Sequence, residues 1–263
     1  MSRPGLLDGK VAVVTGVGPG LGRASALALG REGAAVVLVA RNAERLEAVA
    51  AEIEAAGGRA LAIPGSVTKP DDCERIAAGA LEQFEAIDVV VNSAFRGDSF
   101  QSISDADLDV WRKIFEVNFY GAVNMTRACL PTMKAAGSGS VVMIASQSAR
   151  KIRADEAGYA ASKSALITLT RSLAIEVAAD HIRVNAVVPG WIWGPNVQMY
   201  VEWQTSSRGL TQEAVIAEIT REIPLGEIPP QEDIAEAIVF FASGMSRMIT
   251  GQTLDVNGGE YFG

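Results

Sequence analysis

Thr15-Gly16-Val17-Gly18-Pro19-Gly20-Leu21-Gly22 stands between a short apolar run, Val11–Val14, and a helical stretch that begins near Gly20. Glycines at such a junction allow a sharp turn and keep Cβ atoms away from anything that approaches the backbone. The helix that follows offers free N–H groups and the positive end of its dipole, which suits a pyrophosphate. The spacing does not fit G-x-G-x-x-G: counted from Gly16 the sixth residue is Leu21, and from Gly18 it is Arg23. It fits T-G-x-x-x-G-x-G, with Thr15, Gly16, Gly20 and Gly22. Tight turns use glycine too, so it is the position after a first strand and before a first helix that carries the reading of a dinucleotide cradle.

Outward from that turn the chain alternates short apolar runs with longer helical ones. Val11–Val14, Ala35–Ala40, Ala60–Ile63, Ile87–Val91, Ser140–Ala145, Ile182–Val188 and Thr253–Val256 read as strands. Most are rich in Val and Ile and apolar on both faces, as parallel strands covered by helices must be. Helices are expected over 20–32, 43–56, 70–84, 105–136, 156–179 and 231–243, with Asp71 and Asp72 favourably placed at the early turn of the third. Such alternation implies an α/β fold: a single-domain, Rossmann-type, doubly wound parallel sheet of about seven strands with helices on both faces. No linker, repeat or low-complexity tract divides residues 1–263. The irregular part is 190–221, where three of the four tryptophans fall within thirteen positions, Trp191 to Trp203.

Bulk composition narrows the partners. The 263 residues are 49% hydrophobic and 21% charged, an ordinary globular balance, and 23 basic against 31 acidic residues leave a charge of −8. That total repels a phosphate backbone, so nucleic acid is not an expected partner. Cys73 and Cys129 suggest neither a disulfide framework nor a metal site. The stretch Met1–Lys10 lacks an apolar leader core, and no apolar run reaches the roughly 20 residues that span a bilayer. A cytoplasmic protein without membrane attachment is expected.

The second strand ends at Ala40-Arg41. An acidic residue there would bind the adenosine ribose hydroxyls of NAD, whereas Ala40 leaves room and Arg41 offers a cation to a 2′-phosphate. The residues favour NADP(H), with NAD(H) possible. Tyr159 and Lys163 lie four apart, on one face of a helix. An ammonium beside a phenol lowers its pKa from about 10 and readies it for acid–base work. Ser146 stands at a strand end, placed to hydrogen-bond a substrate oxygen, and Asn118 lies in the long helix before that strand.

With the glycine turn, these residues resemble the short-chain dehydrogenase/reductase family over essentially the whole chain. The family's positions fall on Thr15, Gly16, Gly20 and Gly22, on Asn92-Ser93-Ala94, on Asn118, Ser146, Tyr159 and Lys163, and on Pro189-Gly190. The resemblance implies a nicotinamide-dependent ketone reductase or alcohol dehydrogenase. In it Tyr159 is the general acid/base, Lys163 binds the nicotinamide ribose and lowers the tyrosine pKa, Ser146 polarises the carbonyl and Asn118 holds a water in a proton relay. It further implies that Leu21, Ser66, Val67, Asn92, Ala94 and Ile192 join Thr15, the glycines, Arg41, Pro189 and Gly190 around the cofactor. A homotetramer or dimer is implied too, formed through the 105–136 and 156–179 helices.

Three positions depart from the family pattern. Phe95 replaces a glycine after strand four, Ser66 replaces an aspartate after strand three, and Gly194 replaces a threonine five places beyond Pro189. Weaker or rearranged cofactor contacts are expected there. The resemblance implies a substrate loop at about 190–221; Phe95, Gln147, Arg153, Trp191, Trp193, Tyr200 and Trp203 are candidate substrate-pocket residues, and the aromatic content points to a hydrophobic, ring-containing or alicyclic substrate. Packing of those rings on the body or on a neighbouring subunit is the alternative. Arg150, Lys151 and Arg153 suit an anionic group or form a solvated basic loop, and His181 lies far from every motif. Two other functions stay open: a 3-oxoacyl-thioester reductase serving an acyl carrier, and a non-catalytic cofactor-binding regulator or scaffold.

Overall fold

Along β1 (Val11–Thr15) successive side chains enter different cores. Val11 and Val13 join one apolar cluster, Ala12 and Val14 another. A strand buried on both faces needs helices on both sides. The computed structural model describes residues 4–263; residues 1–3, which belong to the expected domain and to the stretch in which no leader core was expected, lie outside the described residues. The remaining strands are β2 (Ala35–Ala40), β3 (Arg59–Pro64), β4 (Val89–Asn92), β5 (Gly139–Ile144), β6 (Ile182–Pro189) and β7 (Thr253–Val256). All seven pair in parallel, in the order β3-β2-β1-β4-β5-β6-β7.

The helices are α1 (Leu21–Arg31), α2 (Ala43–Ala55), α3 (Pro70–Phe84), α4 (Leu108–Phe115), α5 (Gly121–Ala136), α6 (Ala157–Glu176), α7 (Pro195–Arg208), α8 (Gln212–Thr220) and α9 (Gln231–Ala242). Apolar residues of α1, α2 and α9 pack on one face of the sheet, and those of α3, α5 and α6 on the other. Strand order reverses between β1 and β4, so a crevice opens beyond their carboxyl ends. No helix among the described residues is long and apolar enough to cross a membrane.

Three expectations need correction. The long helix over 105–136 starts only at Leu108, where the Asp107 carboxylate accepts the Asp109 N–H at 2.8 Å, and a π-helical turn, Glu116–Tyr120, interrupts it. Strand four begins at Val89, not Ile87; just before it the Asp88 N–H still donates to the Val11 carbonyl at 2.9 Å, and its carboxylate accepts from Lys10 and the Val11 N–H at 2.8 and 2.9 Å. The 190–221 segment is a helical hairpin, α7 and α8, around a small core of Val201, Val215, Ile219, Ile223 and Ile228.

Candidate active site

Gly16 shows why the first turn is glycine. Its φ is +72°, and a Cβ there would lie 2.5 Å from the Ala94 Cα. β1 and β4 therefore end in backbone contact, and Thr15 closes the seam. Its hydroxyl donates to the Val91 carbonyl at 3.3 Å and accepts the N–H groups of Ser93 and Ala94 at 3.1 and 3.3 Å. Gly20 differs: a Cβ there would meet only the Gln231 side chain, 3.9 Å away, so the space over the α1 N-terminus is open. The Arg23 N–H turns back to the Gly20 carbonyl at 3.0 Å, but those of Leu21 and Gly22 have no such acceptor, and the cradle fits a dinucleotide diphosphate.

A cleft of about 710 Å³ runs from this cradle past β5 and β6 to the α7–α8 hairpin. Gly16, Gly20, Leu21, Gly22, Ser146, Tyr159, Lys163, Pro189, Gly190 and Ile192 line it, as do Phe95, Gln147, Arg153, Trp191 and Tyr200. Ser146, Tyr159 and Lys163 of the expected acid–base set thus share one space with the glycine turn. A second groove of about 760 Å³, between α1, α2 and α9, holds none of these groups.

Lys163 is 2% exposed, and its Nζ donates to the Ile144 carbonyl at 2.7 Å. Burial pushes its pKa down to about 7. Tyr159 moves the other way: burial raises its phenol to about 12, against a hydrogen bond with Ser146 that lowers it and beside Glu156, which raises it further. The expected lowering by Lys163 is not found in the protein alone, where desolvation dominates and Ser146 is the group that lowers the phenol. The Tyr159 N–H, at the start of α6, donates to the Asp98 carboxylate at 2.8 Å and anchors the residue from behind.

Asn118 sits in the π-helical turn and is buried. Its Oδ1 accepts the Arg96 N–H at 2.7 Å, while Nδ2 donates to the Arg96 carbonyl at 3.0 Å and to Ser162 Oγ at 2.9 Å. It does not line the cleft; it ties the 93–96 stretch to α6, one residue from Lys163. Several expected cofactor residues stand back in the same way. Asn92 Nδ2 donates to Thr126 at 2.9 Å, and the Ser66 hydroxyl is engaged with Thr68 at 2.9 Å while its N–H reaches the Asp72 carboxylate at 2.9 Å. Val67 is buried beneath, and Arg41 is exposed at the end of β2.

Two of the five expected aromatic pocket residues are absent from the cleft. Trp193 pairs with Pro230 in a parallel bridge and packs on the hairpin core, and Trp203 is 61% exposed. Trp191 stays, with its ring 5.3 Å from that of Tyr200. Two members of the basic run are engaged within the protein, while Arg153 stays exposed at the cleft, 3.8 Å from Asp155. Arg150 pairs with Asp255, and Lys151 bridges Glu222 and Glu260 at 2.5 and 2.9 Å. Lining residues that the sequence did not flag include Glu156, Val197, Glu218, Gln231 and Glu260. Only the Gly194 departure hinted at one of them, Gln231.

A family model described as enoyl-(acyl carrier protein) reductase matches residues 16–260. Cis-4-hydroxycyclohexanecarboxylate dehydrogenase of Sinomonas cyclohexanicum is 35% identical over 250 residues, 95% of this chain and 96% of that protein. 2,3-Dihydro-2,3-dihydroxybenzoate dehydrogenase of Bacillus subtilis is 33% identical over 263 residues, 98% of each chain. Among solved structures, L-sorbose reductase from Gluconobacter frateurii, complexed with NADPH and L-sorbose, superposes with a TM-score of 0.92 at 31% identity and covers 98% of both chains.

Proposed function

The chain belongs to the short-chain dehydrogenase/reductase family and is an NAD(P)-dependent oxidoreductase acting on alcohol and ketone substrates; from that premise we propose that it interconverts a cyclic ketone and its secondary alcohol with NADP(H). The observation that carries this reading is that Ser146, Tyr159 and Lys163 face the glycine cradle across one cleft. Gly16, Gly20, Leu21 and Gly22 would hold the dinucleotide, which would supply the hydride chemistry at the substrate carbon.

The chain's own residues handle the proton. With its pKa near 12, the Tyr159 phenol is protonated at neutral pH and ready to give its proton to a carbonyl oxygen. Ser146 hydrogen-bonds the same oxygen as charge grows on it. Lys163, near 7, lies at the balance between ammonium and amine, and its charged form stabilises the phenolate that proton transfer leaves behind. Asn118 holds the α6 start in place through Ser162.

Trp191, Tyr200, Phe95 and Val197 give the far end of the cleft an apolar lining suited to a ring, and two of the relatives are named for cyclic substrates. Arg41 beside Ala40 supports NADP(H) over NAD(H), as does the NADPH complex of the sorbose reductase. Glu156, Glu218 and Glu222 at the cleft oppose an acidic acyl carrier, and a scaffold has no need of Ser146, Tyr159 and Lys163 together. Leu108 on α4 and Ile175 on α6 are exposed, which supports a homotetramer or dimer through those helices. The buried, unpaired Cys73 and Cys129 suit the cytoplasm.

The test is titration of tryptophan fluorescence with NADPH and NADH, followed by turnover of cyclic and straight-chain ketones. Tighter NADPH binding that Arg41→Ala abolishes, and preferential turnover of rings, are expected. Equal binding of both cofactors would remove the 2′-phosphate assignment, and equal turnover of straight chains the ring assignment.

A further inference from the structure

Gln231 is the first residue of α9, and the chain before it is fastened to the wall of the cleft. The Trp193 N–H donates to the Pro229 carbonyl at 2.8 Å, and Trp193 and Pro230 pair in parallel. This stitch lays the Gln231 side chain directly over Gly194. A Cβ at position 194 would lie 2.5 Å from Gln231 Nε2 and 3.1 Å from its Cδ. At its other end the amide faces the diphosphate cradle, with Oε1 3.9 Å from where a Gly20 Cβ would sit. The amide therefore spans the gap between the first glycine turn and the end of β6. Its bonds within the protein are weak: Nε2 reaches the Trp193 carbonyl at 3.4 Å, and Oε1 has no partner among the described residues.

We propose that the Gln231 amide is a cofactor-binding group: Nε2, in the space a side chain at 194 would fill, donates its second N–H to the dinucleotide diphosphate from the α9 side, while Oε1, which can only accept, makes no bond to it. Position 194 is glycine because the amide occupies the space its side chain would take. The hydrogen bond that a hydroxyl at 194 would give is supplied by an amide from the next helix. An uncharged donor suits this place, since Glu232 and Asp233 already crowd the first turn of α9 with negative charge. The assignment rests on the reading of the cleft as the dinucleotide site.

The experiment compares wild type, Gln231→Ala, Gln231→Glu, Gly194→Thr and the double variant Gly194→Thr/Gln231→Ala. The readouts are the dissociation constants for NADPH and NADH and the thermal midpoint without ligand. A hydrogen bond to a charged group contributes enough that Gln231→Ala weakens both cofactors about tenfold and equally. Gln231→Glu weakens them further, because its carboxylate meets the diphosphate. Adding Gly194→Thr to Gln231→Ala restores affinity to within about threefold of wild type, since the threonine then has both the space and the phosphate. Adenosine 2′-monophosphate, which lacks the diphosphate, competes equally with all variants once allowance is made for their NADPH affinities. Unchanged cofactor affinity in both Gln231 variants, with unchanged midpoints, overturns the assignment while leaving the cofactor site standing. If wild type binds neither cofactor, the dinucleotide reading fails first. A double variant no tighter than Gln231→Ala would show that the two positions do not share one function.

Discussion

Strand ends build one wall of the cleft, and a helical hairpin builds the other. On the strand side every residue of β1 is buried, and Lys163 is locked to the Ile144 carbonyl. On the hairpin side α7 buries Val201 alone, and Met199 and Trp203 stand in solvent. Displacing a group on the first wall means breaking the main core, whereas the second can shift at the expense of a five-residue satellite core. On the function proposed above, proton transfer falls to the rigid wall and substrate choice to the adaptable one.

The largest expected effect comes from removing the proton donor on the rigid wall. Tyr159→Phe should cut turnover by about 10²- to 10⁴-fold and leave the NADPH dissociation constant within about twofold, by fluorescence titration. Wild-type turnover would move the acid–base function elsewhere. Gly16→Ala attacks the same wall through its backbone: the Cβ meets the Ala94 main chain, which cannot swing away. A loss of about 3 kcal/mol by urea unfolding and about a hundredfold in cofactor affinity is expected. A variant with the wild-type midpoint would mean that this wall yields as easily as the hairpin.

Lys163 sharpens the contrast through pH. Its folded pKa, about 7, lies below the ordinary 10.5, so between those values the unfolded chain binds more protons and stability from this group rises with pH. Lys163→Met should lose that rise and gain stability at and below pH 7, by denaturant unfolding at pH 6.5 and 9. Parallel profiles for variant and wild type would show that the ammonium is solvated. On the hairpin, Trp191→Ala should raise KM for a cyclic substrate about tenfold through lost ring contact. Trp203→Ala, the smallest effect, should change KM less than about twofold. A reversal of those two would mean that α7 turns over when substrate binds.

The rigid wall was the legible one. Its strands are short runs of Val and Ile, and Thr15, Gly16, Gly20, Gly22, Ser146, Tyr159 and Lys163 are set by local turn and helix geometry that spacing records. The hairpin depends on helical phase, so which tryptophan faces the cleft could not be settled until α7 and the Trp193–Pro230 bridge were placed. Lys151 had no visible partner because Glu222 and Glu260 are far along the chain. The direction of the Tyr159 shift was hidden for another reason: a neighbouring lysine can be read from i, i+4 spacing, but the depth of burial that sets the shift cannot.

The π-helical turn at Glu116–Tyr120 sets the rotational phase between the helices it joins. At about 100° per residue, the nineteen positions from buried Ile114 to buried Met133 overshoot whole turns by roughly one residue. The wide turn absorbs that surplus, so both side chains point inward on one continuous rod. Removing a single residue there would delete no catalytic group, yet it would swing α4 about a quarter turn against α5 and uncouple Asn118 from Ser162. The catalytic register is in this sense a counting problem, and one supernumerary residue keeps the count.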